Sequence, residues 1–278
     1  RCLRGRARGP GPPGGHAVSG AANGPALSRG DLLRALAVVL IWGLNFVVMK
    51  VGLAGLGPML LGALRFVLAS LPFLLFVRRP ALPWRYLAMY GLAQGLGQFG
   101  FLFLGLQLGM TAGMASVVIQ TQAFFTLLLA WPLLGERARA SQWLGLLVAP
   151  AGLLLVATAH GEGPGQMTLV GFILTLSAAF MWALSNLVAR RASQAARYQP
   201  FRFIVWSSLF PILPFFALAL LQDGPTRVAS QLAGLSPGAL WSVAYLALLA
   251  TLLAYSLWTR LLQRHPAGRV TPFSLVVP

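Results

Sequence analysis

The sequence predicts an all-α polytopic membrane protein built as two inverted five-helix repeats. Three observations carry that prediction. Hydrophobic residues make up 58% of the chain and charged residues 9%, whereas soluble domains run at about half apolar and a quarter charged. The apolar residues fall into consecutive runs of about 20, the length of a membrane-crossing helix. One short motif also recurs in both halves of the chain.

Taken in order, residues 1–31 (RCLRGRARGPGPPGGHAVSGAANGPALSRGD) are rich in Gly, Pro and Arg, a composition that predicts disorder. No Met precedes Met49, and the segment lacks the apolar stripe of a transit peptide, so it is expected to be upstream read-through. Spans follow at 32–53, 57–77, 86–107, 111–134 and 141–158, then at 167–189, 201–221 and 236–260. A ninth opens near Ala267 and reaches Pro278. Short loops join them, and no run shows the period of two that a barrel strand requires.

The cations test this division. Of the 21 Lys and Arg, all but Lys50, Arg65 and Arg227 lie in the tail or in or beside the loops after spans two, four, six and eight. Positive residues favour the cytoplasmic side, which places the N-terminus there.

Comparison of the chain with itself aligns WGLNFVVMK (42–50) with WALSNLVAR (182–190), matching Trp42 to Trp182, Leu44 to Leu184, Val48 to Val188 and Lys50 to Arg190. TAGMASVVIQTQA from Thr111 aligns with PAGRVTPFSLVVP from Pro266. The repeats are then 32–158 and 167–278. Five spans is an odd number, so the second copy is inverted in the membrane, the plan of many secondary transporters. Ten spans are expected in all, the rest of the ninth and the tenth falling beyond residue 278.

Several function classes are excluded. The lone Cys2 cannot build a disulfide framework or a zinc cluster. His16, His160 and His265 lie in the tail or loops, and Asp31, Glu136, Glu162 and Asp223 in loops or at interfaces, so the spans hold no catalytic or metal-binding constellation. An intramembrane enzyme is not expected, and no cofactor is implied. The net charge of +17 is spread between apolar runs rather than gathered on one face, which argues against nucleic acid. There are no acidic rings or filter-like loops of a channel. A small-molecule substrate and the lipid bilayer are the expected partners; monomer and dimer both stay open.

The polar residues inside the spans are the candidate substrate pathway. Lys50 is either a snorkelling anchor at the outer interface or part of that pathway. Arg65 lies about two turns into span two by the 1.5 Å rise per residue, where a cation is costly unless it faces a wet cavity or a partner. With no carboxylate inside the spans, backbone carbonyls, neighbouring amides or a transported carboxylate are left as its partner, the last being preferred. Trp42 and Asn45 share one helical face, and Trp182 with Asn186 repeats it. Gln98, Gln120 and Gln122 add uncharged donors and acceptors, with Gln94 one turn from Gln98. Each amide can equally be interhelical packing glue. Gly91/Gly95 and Gly105/Gly109/Gly113 are spaced to let helices approach closely, and Pro72, Pro150, Pro211, Pro214 and Pro272 are candidate kinks.

These motifs together, with LLGER at 133–137, resemble the EamA-type family of the drug/metabolite transporter superfamily. The narrower likeness is to members that export O-acetylserine and cysteine across the bacterial inner membrane. It is carried by GLNFVV before Lys50, ALRF (63–66), QAFFT (122–126), GFILTL (171–176), FPILPFF (210–216) and SLVVP (274–278). The resemblance covers residues 27–278 and implies export of small amino-acid metabolites, with the same fold carrying aromatic amino acids or drugs as the alternative. It also implies a chain start at Leu27. Gln94 departs from the family pattern.

Overall fold

The computed structural model describes residues 27–135 and 167–277, with positions 145, 148 and 152 between them. The predicted tail up to residue 26 and nearly all of the span expected at 141–158, with Pro150, lie outside the described residues.

The helices are α1 (Arg29–Leu53), α2 (Pro58–Leu74), α3 (Trp84–Gln107), α4 (Ala112–Leu134), α5 (Leu169–Ala195), α6 (Pro200–Asp223), α7 (Pro225–Ala233) and α8 (Pro237–Arg264). A last short helix, α9 (Ala267–Val270), runs into 3-10 turns over Thr271–Val276. Their starts follow from local chemistry. Ser28, Thr111, Thr168 and Ser236 each turn a hydroxyl to the backbone N–H three residues on, satisfying a donor that the helix cannot. Pro58, Pro200, Pro225 and Pro237 open helices where their missing N–H costs nothing. Gly135 closes α4 with φ 68°, a left-handed cap.

Six of these helices are long and apolar enough to cross a membrane. The shorter α2 has 17 residues, against an expected span of 57–77. The amphipathic α7 was not anticipated; its Gln231 side chain accepts from the Gly57 N–H at 2.8 Å just before α2 begins.

Burial follows a pattern opposite to that of a soluble bundle. On α1, Leu33, Leu36, Leu40, Leu44, Val47 and Val51 form an exposed apolar stripe at helical spacing, while Trp42 and Asn45 are turned inward. Apolar outside and selectively polar inside is the arrangement that lipid favours.

α1 packs along α8, α2 against α6, and α5 between α3 and α4. Close approach depends on glycine at Gly91, Gly95 and Gly105, but not at Gly113, where a Cβ would meet nothing within 4 Å. A Cβ on Gly91 would sit 2.1 Å from the Ser207 carbonyl oxygen, and one on Gly95 would sit 2.6 Å from the Pro211 ring. At one end of the bundle, Asp31 ties α1 to the end of α8. It takes Arg34 at 2.8 Å, Arg264 at 3.2 Å and His265 at 3.2 Å.

The helices are not regular throughout. The expected proline break in α6 falls as a turn before Ile212. Two π-helical stretches also occur, Gly91–Gln98 in α3 and Tyr245–Ala254 in α8. Such widened turns are rare and concentrate at functional sites.

Candidate substrate site

The π-helical stretch of α3 ends at Gln98 on one small cavity in the bundle interior, where Trp42, Asn45, Arg65, Gln98, Gln120 and Trp182 converge from α1, α2, α3, α4 and α5, joined by Tyr255 just past the second stretch. Its volume is about 40 Å³, room for a few ordered waters.

Arg65 dominates it. The side chain is 1% exposed, and its Nε donates to Thr251 Oγ1 at 2.6 Å. The Thr251 hydroxyl donates to the Leu246 carbonyl five residues earlier at 2.7 Å, so a lone pair is left for Arg65. The guanidinium carbon lies 4.0 Å from the Phe99 ring centroid and 5.6 Å from that of Phe66, cation–π contacts that offset part of its desolvation. Nη1 and Nη2 have no hydrogen-bond partner. Among the described residues, no ion pair reaches Arg65; those of Asp31 are with Arg34, Arg264 and His265.

An aromatic wall closes one side. Trp42 stands 5.3 Å from Trp182, 4.8 Å from Tyr255 and 5.3 Å from Trp258 between ring centroids. Its Nε1 donates to the Ala250 carbonyl at 3.3 Å. Gln98 Oε1 accepts from Tyr255 at 3.4 Å. Gln120 Nε2 donates to the Val277 carbonyl at 2.9 Å. Three further polar atoms of the cavity lining are buried without a partner: Asn45 Oδ1, Gln120 Oε1 and Trp182 Nε1.

The other predicted residues lie elsewhere. Lys50 is exposed on α1 and does not line the cavity. Five residues at 100° each place it about 140° around the helix from Asn45. Gln122 and Asn186 are fully committed to each other beside the cavity. Asn186 Nδ2 donates to Gln122 Oε1 at 2.9 Å and to Thr126 Oγ1 at 3.3 Å, while its Oδ1 accepts from Trp258 Nε1 at 2.9 Å. Gln122 Nε2 in turn donates to Ser274. This closed network joins α4, α5, α8 and the turns after α9.

Sequence reasoning passed over Thr251 and Tyr255. They are one turn apart on the same face of span eight, the signal that would have found them.

A model of the EamA-like transporter family matches the chain twice, over residues 29–158 and 169–278. The chain belongs to the EamA-like transporter family. Relatives agree with that membership. A "Probable amino-acid metabolite efflux pump" of Escherichia coli (strain K12) is 42% identical over 253 residues, spanning 91% of this chain and 84% of that protein. A protein of the same name from Salmonella typhimurium (strain LT2) is 43% identical over the same length and shares. A solved crystal structure superposes with a TM-score of 0.64 at 19% identity, covering 90% of this chain and 84% of its own, a likeness of fold. This EamA-like transporter is thus a multi-pass membrane protein acting on a small molecule. A π-helical stretch occurs once within each family match, in α3 and in α8.

Proposed function

We propose that this EamA-like transporter exports small amino-acid metabolites, O-acetylserine and cysteine among them, across the bacterial inner membrane, with Arg65 receiving the cargo's carboxylate. The observation that carries the reading is the buried guanidinium with two unmatched nitrogens beside a cavity. A buried charge without a partner is expensive, and a planar fork of N–H donors matches a carboxylate in two-point geometry.

Sidedness rests on the distribution of Lys and Arg, which puts the N-terminus in the cytoplasm. Arg65 then lies in the outer half of the membrane, about 10 Å along α2 from Pro58 at 1.5 Å per residue. The outward direction is carried over from the names of the two efflux-pump relatives. A metabolite is larger than the cavity, so entry requires the helices to part. The meeting of Trp42 and Trp182, one from each family match, suits repeats that rock about a shared centre.

The test is efflux of labelled O-acetylserine and cysteine from cells making the full-length protein, comparing wild type with Arg65→Gln at equal membrane levels. Loss in the variant is expected. Unchanged efflux in Arg65→Gln removes the carboxylate role, and no efflux by wild type removes the cargo. A cationic drug would be repelled by Arg65, so on that reading Arg65→Gln leaves drug efflux intact or raises it.

A further inference from the structure

We infer that the same cavity holds a separate recognition point for the cargo's α-ammonium, formed by the amide oxygens of Asn45 and Gln120, so that the site selects zwitterionic α-amino acids over simple carboxylates. The inference rests on the carboxylate reading of Arg65 and deepens it.

The unmatched atoms around the cavity are of two kinds. Arg65 Nη1 and Nη2 and Trp182 Nε1 are donors. Asn45 Oδ1 and Gln120 Oε1 are acceptors. Both amide side chains are 8% exposed. The orientation of Gln120 is set by its partner: Nε2 donates to the Val277 carbonyl at 2.9 Å, which leaves Oε1 as the free end.

An ammonium group has three donors and no acceptor, and a carboxylate accepts only. A molecule that carries one of each satisfies both sets of atoms at once. A monocarboxylate satisfies the guanidinium and leaves two buried oxygens to water. A monoamine satisfies the oxygens but meets the uncompensated charge of Arg65. Among the described residues no Asp or Glu lines the cavity, so the ammonium is held by neutral dipoles. The site therefore does not offer a second, purely electrostatic attraction that would also admit dicationic cargo.

The experiment compares two probes that differ in the amino group, L-cysteine and 3-mercaptopropionate. Each competes against labelled O-acetyl-L-serine for the purified full-length protein in proteoliposomes, and the binding of each is also read directly from the shift in unfolding temperature in detergent. Wild type should prefer L-cysteine. Asn45→Leu and Gln120→Met, which keep the shape and remove the oxygen, should each lower that preference about tenfold, the factor expected for one hydrogen bond to a charged group. Arg65→Gln should weaken both probes. If wild type prefers neither probe, or if both amide variants keep the full preference while Arg65→Gln still weakens both probes, the ammonium inference is overturned and the carboxylate reading stands. If Arg65→Gln alters neither probe, or wild type binds neither, the carboxylate reading fails and takes this inference with it.

Discussion

Arg65 and Thr251 meet across α2 and α8 at 2.6 Å, and this one contact decides which guanidinium nitrogens are left without a partner. On the proposed carboxylate role of Arg65, Thr251 is a positioning residue. Thr251→Val keeps the shape and removes the acceptor, so Nε competes for the same space as Nη1 and Nη2. Efflux of O-acetylserine is expected to fall about tenfold, the factor of one charge-assisted hydrogen bond. Thr251→Ser, which restores the oxygen, should recover it. Equal loss in both variants would point to packing instead.

Lys50 predicts the opposite. It is exposed and away from the cavity, and surface substitutions of this kind change energies by about 0.5 kcal/mol or less. Lys50→Gln should keep efflux within about twofold of wild type. A larger loss at equal membrane level would bring Lys50 into the transport route.

Asn186 is a structural residue on this geometry. Asn186→Leu removes bonds to Gln122, Thr126 and Trp258 and leaves the Trp258 N–H buried and unmatched. The protein should lose about 1–3 kcal/mol of stability, read as a lower unfolding temperature in detergent. An unchanged temperature would show that the network contributes nothing.

Gly91 and Gly113 form a matched pair of tests. A Cβ at Gly91 meets the Ser207 backbone oxygen at 2.1 Å, whereas nothing lies within 4 Å of one at Gly113. Gly91→Ala should force α3 from α6 and lower the yield of folded protein. Gly113→Ala should be neutral or gain up to about 1 kcal/mol from helix propensity. Similar yields would refute the close packing.

Much of this was legible before any coordinates. Seven of the nine apolar runs match described helices to within about six residues because lipid demands about 20 apolar residues and little else satisfies that demand; the fifth lies almost wholly outside the described residues, and the ninth shows a short helix with 3-10 turns. Trp42 with Asn45 could be placed on one inward face, since three residues span nearly one turn. The tertiary pairing of Asn186 with Gln122 could not, because an amide in a span reads the same whether it faces a cavity or a neighbour. The π-helical stretches were also invisible. GLAQGLGQ and YLALLATLLA carry no proline or other local signal, and the widened turn depends on what packs against it. Thr251 was passed over as one hydroxyl in an apolar run, although Tyr255 one turn on marks its face.

The bond from Trp42 to Ala250 joins residues 208 positions apart, and this separation sets a schedule for biogenesis. At translation rates of about 5–20 residues per second, the first helix waits roughly 10–40 s for the eighth to be made. During that interval Trp42 lacks its carbonyl acceptor, and Asp31 lacks Arg264 and His265. The cavity beside Trp42 is therefore among the last parts of the molecule to close. A ribosome halted before α8 leaves an incomplete chain whose first helix keeps these polar groups unmatched.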